Sequence, residues 1–434
     1  MPTPDGTVPT SLPPRTRPIY VYFGLLTLLV YFLAPEYLLD IPTAYMMKNR
    51  LHASAPEVSL FRLLSGIPLY VAFLFGLVRD RWNPLGWRDR GYFLLFAPLT
   101  AAVFFWMAFT PLSRTMLLAG MILAMATFRL IFAAYQGLIA LIGQETLMSG
   151  RLSTLSNTVF TVAIILAAFI SGLLSESLSP TQIFLLVGGL MVSIALFGLW
   201  KPAAVFGHAY DAPLAAGSDF RGDVRRLLRH RAIYPAVLIS VLWNFNPGLY
   251  TPVQFYLTNK LHAPDDTYSN FMGFFLIGLI PTFLLYGYLC TRVTASRLLW
   301  WGTLIAIPQM IPLVFVHSAT TALILAVPMG MMGGVATAAY FDLAMRSCPP
   351  GLQGTLMMLV SAGWWLAARG SDLLGAQLYA SSPEHGFFYC VIAAVVVYVL
   401  ILPVILWIPK HVIASTDGER NLALEAEVIN EIKA

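Results

Sequence analysis

Residues 76–90 read GLVRDRWNPLGWRDR, and this stretch places six charged side chains between two long apolar segments. The apolar segments cover residues 58–78 and 92–110. Each has about the 20 residues that a helix needs to cross the hydrocarbon core of a bilayer, where a helix satisfies its own backbone hydrogen bonds. The pattern therefore predicts a helical hairpin whose charged turn lies in water.

The same alternation continues along the chain of 434 residues, of which 58% are hydrophobic and 11% are charged. A soluble domain carries about 25% charged residues, so most of this surface must face lipid. The net charge of +5 comes from residues scattered over short loops, which does not favour a nucleic-acid surface. We predict an all-α membrane protein whose twelve transmembrane helices lie near 19–46, 58–78, 92–110, 115–145, 154–175, 181–200, 232–257, 269–290, 298–316, 319–345, 355–379 and 386–408.

A basic linker over residues 201–231 divides these helices into two groups of six, over 19–200 and 232–408. The linker is predicted to form a short amphipathic helix at the membrane surface. Residues 1–18 are rich in proline and are predicted to be a disordered N-terminus, and residues 409–434 are predicted to be a polar tail. The layout indicates two pseudo-symmetric six-helix bundles.

An offset of 212 residues carries Pro35 onto Pro247, which indicates an internal duplication. The first span is interrupted by Pro35 and Pro42, and the seventh by Pro247-Gly248 and Pro252. Paired breaks in matching helices are typical of the binding site of a transporter. The alternative is that these prolines are simply tolerated in membrane helices.

The orientation follows from the distribution of the 26 Lys and Arg residues. If the N-terminus is cytoplasmic, nineteen of them lie on the cytoplasmic side, four lie on the outer side and three lie within spans. This bias is what the positive-inside rule requires. We therefore expect both termini to be cytoplasmic and the protein to lie in a bacterial inner membrane.

Three stretches carry a family resemblance. Residues 76–90 resemble the Gly…Asp…Gly-(Arg)-Arg loop between helices two and three of the major facilitator superfamily. In that loop, Asp89 interrupts the arginine run of the family pattern. NRLHASAP at 49–56 and SCPPGLQGT at 347–355 resemble the folate–biopterin transporter branch, although Gln353 stands where that branch usually has an acidic residue. The resemblance implies secondary transport by alternating access and a folate-like or pterin-like substrate.

The charges at the cytoplasmic helix ends are candidates for a gate. Opposite charges there can hold the cytoplasmic face closed while the outer side is open. The alternative is an ordinary solvated charge cluster. The predicted gating residues are Arg79, Asp80, Arg88, Arg90, Glu145, Arg151, Asp342 and Arg346.

Charged residues within the spans are costly unless they face a wet cavity or a partner. Glu36 is predicted to carry a proton, because desolvation raises the pKa of a carboxyl group. Asp40 lies one turn further and is a second proton-coupling candidate, or else a structural partner of Arg62. Arg129, in the middle of the fourth span, either holds a substrate through its planar guanidinium or neutralises Glu36.

Other polar residues in the spans complete the candidate site. Asp372 is a third proton-coupling candidate, although its spacing from Arg369 also suits a pair within one helix. Aromatic residues such as Tyr31 and Trp364 stack on a flat ring or fill helix interfaces. The predicted substrate-binding residues are Glu36, Arg129, Gln136, Asn244, Asn246, Tyr250 and Arg369.

These features predict a secondary active transporter of a small organic solute, coupled to protons, with a planar anionic compound as the favoured substrate. The alternatives are a proton-driven exporter of amphipathic compounds and a transporter-like assembly scaffold. The sequence contains no Gly-x-x-x-x-Gly-Lys-[Ser/Thr] or His-Glu-x-x-His motif, so neither an ATP-driven pump nor a zinc enzyme is indicated. We expect no cofactor or metal, no nucleic-acid partner, and a monomer in contact with lipid.

Overall fold

The computed structural model describes residues 16–207, 220–264 and 266–419, and the secondary structure of these residues is entirely helical. The predicted disordered N-terminus, the middle of the linker and the end of the polar tail lie largely outside them. Twelve spans cross the structure, as predicted. In the first half they are Thr16–Phe32 with Pro35–Leu38, Asp40–Tyr45 and Met46–Arg50 (span 1), Ala55–Ser65 with Ile67–Tyr70 and Ala72–Arg81 (span 2), Arg88–Phe109 (span 3), Arg114–Glu145 (span 4), Ser149–Ser177 (span 5) and Pro180–Leu199 (span 6).

The second half also contains six spans. Between the halves, the linker contains the helix Phe220–Arg229, and a short turn of helix, Lys410–Ile413, follows the last span. The spans of this half are Ile233–Asn244 with Thr251–Phe255 and Tyr256–Lys260 (span 7), Asp266–Leu289 (span 8), Ala295–Ala306 with Ile307–Phe315 (span 9), Ala319–Arg346 (span 10), Gln353–Ala380 (span 11) and Gly386–Val399 with Ile401–Trp407 (span 12).

Eight helices within the described residues are long and apolar enough to cross a membrane on their own. Of the four remaining spans, span 11 is one continuous helix, whereas spans 1, 2 and 7 are broken into shorter pieces. Span 1 breaks before Pro35, where Ala34 has extended backbone angles of φ −60° and ψ 123°. Proline lacks an N–H and disfavours helical geometry in the residue before it. Span 7 breaks between Asn244 and Thr251, around Pro247.

Spans 1 and 7 end in the same unusual turn. Met46–Arg50 and Tyr256–Lys260 are π-helical, and each is followed by a histidine, His52 or His262, with φ of 50°. The sequence repeats with the turn, since Asn-Arg-Leu-His-Ala at 49–53 matches Asn-Lys-Leu-His-Ala at 259–263. This offset of 210 residues supports the duplication more strongly than the prolines do.

Each half has its own hydrophobic core, and the start of span 11 joins them. Leu356, Met357 and Met358 of span 11 are buried in the core that spans 1 to 6 form. The second core is formed by residues from Ala232 to Ile413. The halves therefore meet along spans 2 and 11, and also along spans 5 and 8, which are in contact.

Candidate functional site

A cavity of about 140 Å³ lies between the two halves. It is bounded by spans 1, 4 and 5 of the first half and by spans 7, 10 and 11 of the second half. Every residue that lines it is uncharged. The lining residues are Tyr31, Phe132, Gln136, Ser156, Asn157, Phe160, Ser240, Trp243, Asn244, Thr337, Tyr340, Phe341, Met357, Val360, Ser361 and Trp364.

Aromatic rings from both halves form much of the cavity wall. Tyr31 packs on Phe160 with ring centroids 4.6 Å apart, and Phe160 lies 5.9 Å from Trp364 of the other half. Trp243 and Tyr340 are a further pair at 5.4 Å. Rings arranged in this way offer edges and faces to a flat aromatic or heterocyclic molecule.

Two of the predicted binding residues, Gln136 and Asn244, supply polar groups to this wall. The amide nitrogen of Gln136 donates to the hydroxyl of Tyr31 at 3.2 Å, and its buried Oε1 has no hydrogen-bond partner among the described residues. The amide nitrogen of Asn244 donates to the carbonyl of Ser240 at 2.8 Å. An unpaired buried acceptor is costly, so Gln136 Oε1 is suited to a donor on a bound molecule.

Glu36 and Arg129 form an ion pair behind the cavity wall. The guanidinium of Arg129 contacts the carboxylate of Glu36, and the two side chains are 1% and 5% exposed, respectively. Neither residue lines the cavity. Arg129 thus neutralises Glu36, which is one of its two predicted roles, and the role of holding a substrate anion directly does not fit its position.

The pair is incompletely satisfied and touches the cavity wall through Phe132. Glu36 Oε2 and Arg129 Nε are buried and have no hydrogen-bond partner among the described residues. The guanidinium of Arg129 lies over the ring of Phe132, 4.4 Å from its centroid. Phe132 also faces the cavity, so a change in the charge of the pair can reach a bound molecule through this ring.

Asp40 lies outside this buried region. It forms an ion pair with Arg62 at 2.8 Å, and both side chains are at least 40% exposed. An exposed pair of this kind contributes little energy. Its position fits the structural alternative better than the proton-coupling role.

Asn246 and Asp372 form hydrogen bonds with the backbone around the break in span 7 and do not line the cavity. Asn246 donates to the hydroxyl of Tyr398 at 2.9 Å and accepts from the amide of Gly248 at 3.1 Å. The carboxylate of Asp372 accepts from the amide of Thr251, which begins the second piece of span 7, at 2.9 Å.

Arg369 and Tyr250 are also absent from the cavity lining. The predicted pairing of Arg369 with Asp372 is wrong, because Arg369 is exposed and no described acidic group lies within 4.0 Å of it. The carboxylate of Asp372 serves the broken helix instead. Among the predicted binding residues, only Gln136 and Asn244 therefore lie in the wall.

We use the term basic face for the end of the bundle formed by residues 79–90, 144–151, 290–295 and 346–355. Here Asp80, at the end of span 2, binds the start of span 11. Its carboxylate accepts hydrogen bonds from the amides of Gly354 at 3.0 Å and Thr355 at 2.6 Å, and from the hydroxyl of Thr355 at 2.6 Å. A carboxylate stabilises a helix N-terminus, where backbone N–H groups lack partners.

Glycines allow spans 2 and 11 to approach this closely. A Cβ added to Gly76 would lie 2.5 Å from the carbonyl oxygen of Gly354, and one added to Gly354 would lie 2.7 Å from Asp80 Oδ1. Arg79 completes the cluster by donating to Asp80 at 2.8 Å and to both oxygens of Asp89 at 2.6 Å. Any side chain at Gly76 or Gly354 would separate the two helices.

Uncharged groups add further contacts between the halves at the basic face. The side-chain amide of Gln144 donates to the carbonyls of Met345 at 2.9 Å and Cys348 at 2.8 Å, and it accepts from Gln353 at 3.2 Å. These bonds join span 4 to the loop between spans 10 and 11. Sequence reasoning missed Gln144, because a single neutral amide at a helix end carries no distinguishing pattern.

Three more of the predicted gating residues lie on this face. Arg90 donates to the carbonyls of Gly198 and Leu199 at 3.0 Å, both at the end of span 6, so it joins two helices of the same half. The amide of Arg88 donates to the side chain of Asn83 within the turn between spans 2 and 3. Glu145, at the end of span 4, is exposed.

The second half of the basic face is organised around Asp417, in the segment after span 12. Arg151 Nε donates to Asp417 at 2.7 Å, and Arg346 lies 3.8 Å from the same carboxylate. Arg346 also donates to Asp342 at 2.9 Å. Burial raises the pKa of Asp417 above its ordinary value and the negative charge of Asp342 adds to this effect, while Arg151 lowers that pKa.

The model of the Major Facilitator Superfamily matches residues 19–369. No curated protein matches this sequence. The fold is similar to that of the proton:xylose symporter XylE, with a TM-score of 0.69 and 13% identity over 95% of this chain and 99% of that chain.

Two further solved structures share the fold. A bacterial homologue of the iron transporter ferroportin, in an outward-facing state, has a TM-score of 0.66 and 16% identity over 90% of this chain and 99% of that chain. The human organic anion transporter MFSD10 has the same TM-score and identity, over 90% of this chain and 100% of that chain. With the family match covering most of the twelve spans, this chain belongs to the Major Facilitator Superfamily and is a multi-pass membrane protein of the secondary transporter class.

Proposed function

We propose that this protein moves a small, flat organic solute across the membrane through the central cavity, by alternating access and together with a proton. The observation that carries the proposal is the uncharged, aromatic cavity between two halves that are joined at the basic face. Such a cavity, opened alternately to each side by rocking of the halves, is the working unit of a transporter of this architecture.

The lining favours a neutral ring system. Rings from both halves can stack on a flat heterocycle, and Gln136 Oε1 can accept a hydrogen bond from it. A pterin-like ring has both features, in keeping with the resemblance of residues 347–355 to folate–biopterin transporters. A carboxylate on the solute would meet no lining cation, because Arg129 is already paired with Glu36. We therefore favour a neutral compound over the anionic one that the sequence suggested.

Proton coupling is assigned to Glu36. A proton on Glu36 would remove the counter-charge of Arg129, whose guanidinium lies against Phe132 in the cavity wall. A ligand shifts a conformational equilibrium only by binding the two states differently. Protonation of Glu36 changes the cavity wall that the solute contacts, so the proton and the solute can both favour the same conformational state of the transporter.

The orientation and location remain as the charge distribution predicts. The predicted cytoplasmic segments, which include the basic face, carry nineteen of the 23 Lys and Arg residues outside the predicted spans, and we assign this face to the cytoplasm together with both termini. We place the protein in the bacterial inner membrane and expect it to act as a monomer, because each half contributes its own wall to the cavity between them.

Export of an amphipathic compound is the second candidate, and the uncharged aromatic lining also supports it. The two candidates differ in the direction of net movement against the proton. Uptake into proteoliposomes that is driven by protons moving in the same direction supports the first candidate. Uptake driven by a proton gradient of the opposite sign supports the second.

The solute class can be tested by thermal unfolding of the detergent-purified protein in the presence of pterins, folates, nucleosides and neutral amphiphiles. Ligands that bind the folded state raise the midpoint of unfolding. We expect neutral pterins to raise it more than folates do. A rise with folates alone would show that the site requires an anion, and a rise with amphiphiles alone would support the exporter.

A further inference from the structure

Two carboxylates bind helix starts across the two halves at the basic face. The first is Asp80, which accepts the amides of Gly354 and Thr355 at 3.0 Å and 2.6 Å. These are the second and third residues of span 11, which begins at Gln353. The helix that is bound lies in the second half and the carboxylate lies in the first.

The second carboxylate, Asp417, makes the reciprocal contact. It accepts the amide of Gly150 at 3.0 Å and the amide of Arg151 at 3.4 Å. These are the second and third residues of span 5, which begins at Ser149. The side chain of Asp417 is 1% exposed, so it is enclosed as fully as a core residue.

Span 8 holds Asp417 in place. The amide of Asp417 donates to the carbonyl of Cys290, immediately after the end of span 8, at 2.9 Å. The carbonyl of Ser415 accepts from Arg346 at 3.2 Å and from the amide of Ala295 at 3.4 Å. Asp417 is thus fixed between the end of span 8 and the start of span 5, as Asp80 is fixed between spans 2 and 11.

The two helix starts also have the same local geometry. Met148, before span 5, has φ −120° and ψ 21°, and Leu352, before span 11, has φ −123° and ψ 23°. The residue before each has a positive φ, of 53° at Leu147 and 78° at Gly351. A shift of six spans relates span 2 to span 8 and span 5 to span 11, so the two carboxylate sites are related by the pseudo-symmetry of the fold.

The loop after span 8 does not itself supply an acid. The offset of 212 residues places Arg292 at the position equivalent to Asp80. We propose that Asp417 takes the place of this missing acid, so that the segment 415–419 closes the basic face between spans 5 and 8 and must be released each time that face opens. This proposal rests on the opening that the proposed function requires.

Three native cysteines provide the test, because all are buried and each reports on a different place. Cys290 lies against Gly150, because its Cβ is 2.9 Å from the position that a Cβ on Gly150 would occupy. Cys348 lies beside Gln144, whose side-chain amide donates to the Cys348 carbonyl. Cys390 is buried within the second half, with its thiol on the carbonyl of Gly375, and serves as the internal reference. The rates of alkylation by N-ethylmaleimide are measured for each cysteine by mass spectrometry on the full-length protein in lipid nanodiscs.

We expect Asp417→Asn to raise the alkylation rate of Cys290 relative to Cys390 by about tenfold, because an asparagine oxygen can accept only from some of the donors that the carboxylate holds. Asp80→Asn should raise the relative rate of Cys348 instead. Glu419→Gln is the matched control in the same segment, since Glu419 bonds only locally, to the amide of Thr416 at 3.1 Å. This control should leave all three rates unchanged.

The proposal is overturned if Asp417→Asn leaves the ratio of the Cys290 and Cys390 alkylation rates unchanged, either because neither rate rises or because both rise equally. It is also overturned if Glu419→Gln raises the relative alkylation rate of Cys290 as much as Asp417→Asn does. If Asp80→Asn raises the rate of Cys348 while Asp417→Asn changes nothing, the role of Asp417 fails and alternating access stands. If neither variant opens its side, both fail. No substrate is needed for these measurements.

Discussion

The guanidinium of Arg129 lies 4.4 Å from the ring centroid of Phe132, and Phe132 is part of the cavity wall. This contact connects the buried Glu36–Arg129 pair to the place where a solute would bind. In the proposed coupling, a change in the charge of the pair acts on the cavity wall through Phe132, without a direct contact between either ion and the solute.

The first prediction concerns the energy of this pair. Glu36→Gln leaves the buried guanidinium of Arg129 without a counter-charge, which we expect to destabilise the protein by about 3 kcal/mol. The double variant Glu36→Leu/Arg129→Leu removes both charges and should be less destabilised than the single variant. Chemical unfolding in detergent measures both values. A double variant that is less stable than Glu36→Gln would contradict the pairing.

The same variants test proton coupling. In proteoliposomes we expect the double variant to bind the solute but to lose the response of its flux to an imposed pH gradient, since no buried carboxyl remains in span 1. Asp40→Asn is the control, because Asp40 lies in an exposed pair. An unchanged pH response in the double variant would assign coupling to another group.

The third prediction concerns the aromatic wall. Trp364→Ala should weaken solute binding by about tenfold or more, since a stacked ring and its buried area contribute at least 1.4 kcal/mol. Leu366→Ala, two residues along the same helix, is the control, because Leu366 is 54% exposed and does not line the cavity. Binding is measured by the ligand-induced rise in unfolding temperature. Equal losses in both variants would point to a general effect on span 11.

The fourth prediction concerns the approach of spans 2 and 11. A Cβ at Gly354 would meet Asp80 Oδ1, so Gly354→Ala should prevent closure of the basic face, raise the alkylation rate of Cys348 and lower transport at least about tenfold. Gly172→Ala in span 5 is the control, because nothing lies within 4 Å of its added Cβ. It should be neutral or slightly stabilising. Normal transport by Gly354→Ala would show that the close approach is dispensable.

The architecture could be predicted because a bilayer imposes its constraints locally. A run of apolar residues reveals each span, and prolines reveal the breaks near Pro35 and Pro247. The pairing of Glu36 with Arg129 is one of the two roles that the sequence predicts for Arg129, since two opposite charges deep in a membrane are most stable together.

The cross-half contacts could not be read in this way. Gly150 and Asp417 lie 267 residues apart, and no spacing or composition connects a polar tail to the start of span 5. The spacing of Arg369 and Asp372 suggested a pair, but the free amide at the start of a broken helix competes for the carboxylate of Asp372. Local sequence rules do not include such competitors.

The π-helical turns before His52 and His262 have a consequence for the origin of the chain. A turn closed from residue i to residue i+5 holds one residue more than an α-helical turn. Both copies contain this extra residue at the same place and follow it with the same Leu-His-Ala triplet. The simplest history is that the residue was inserted once, in an ancestral polypeptide of six helices, and was inherited by both halves when its gene was doubled and fused.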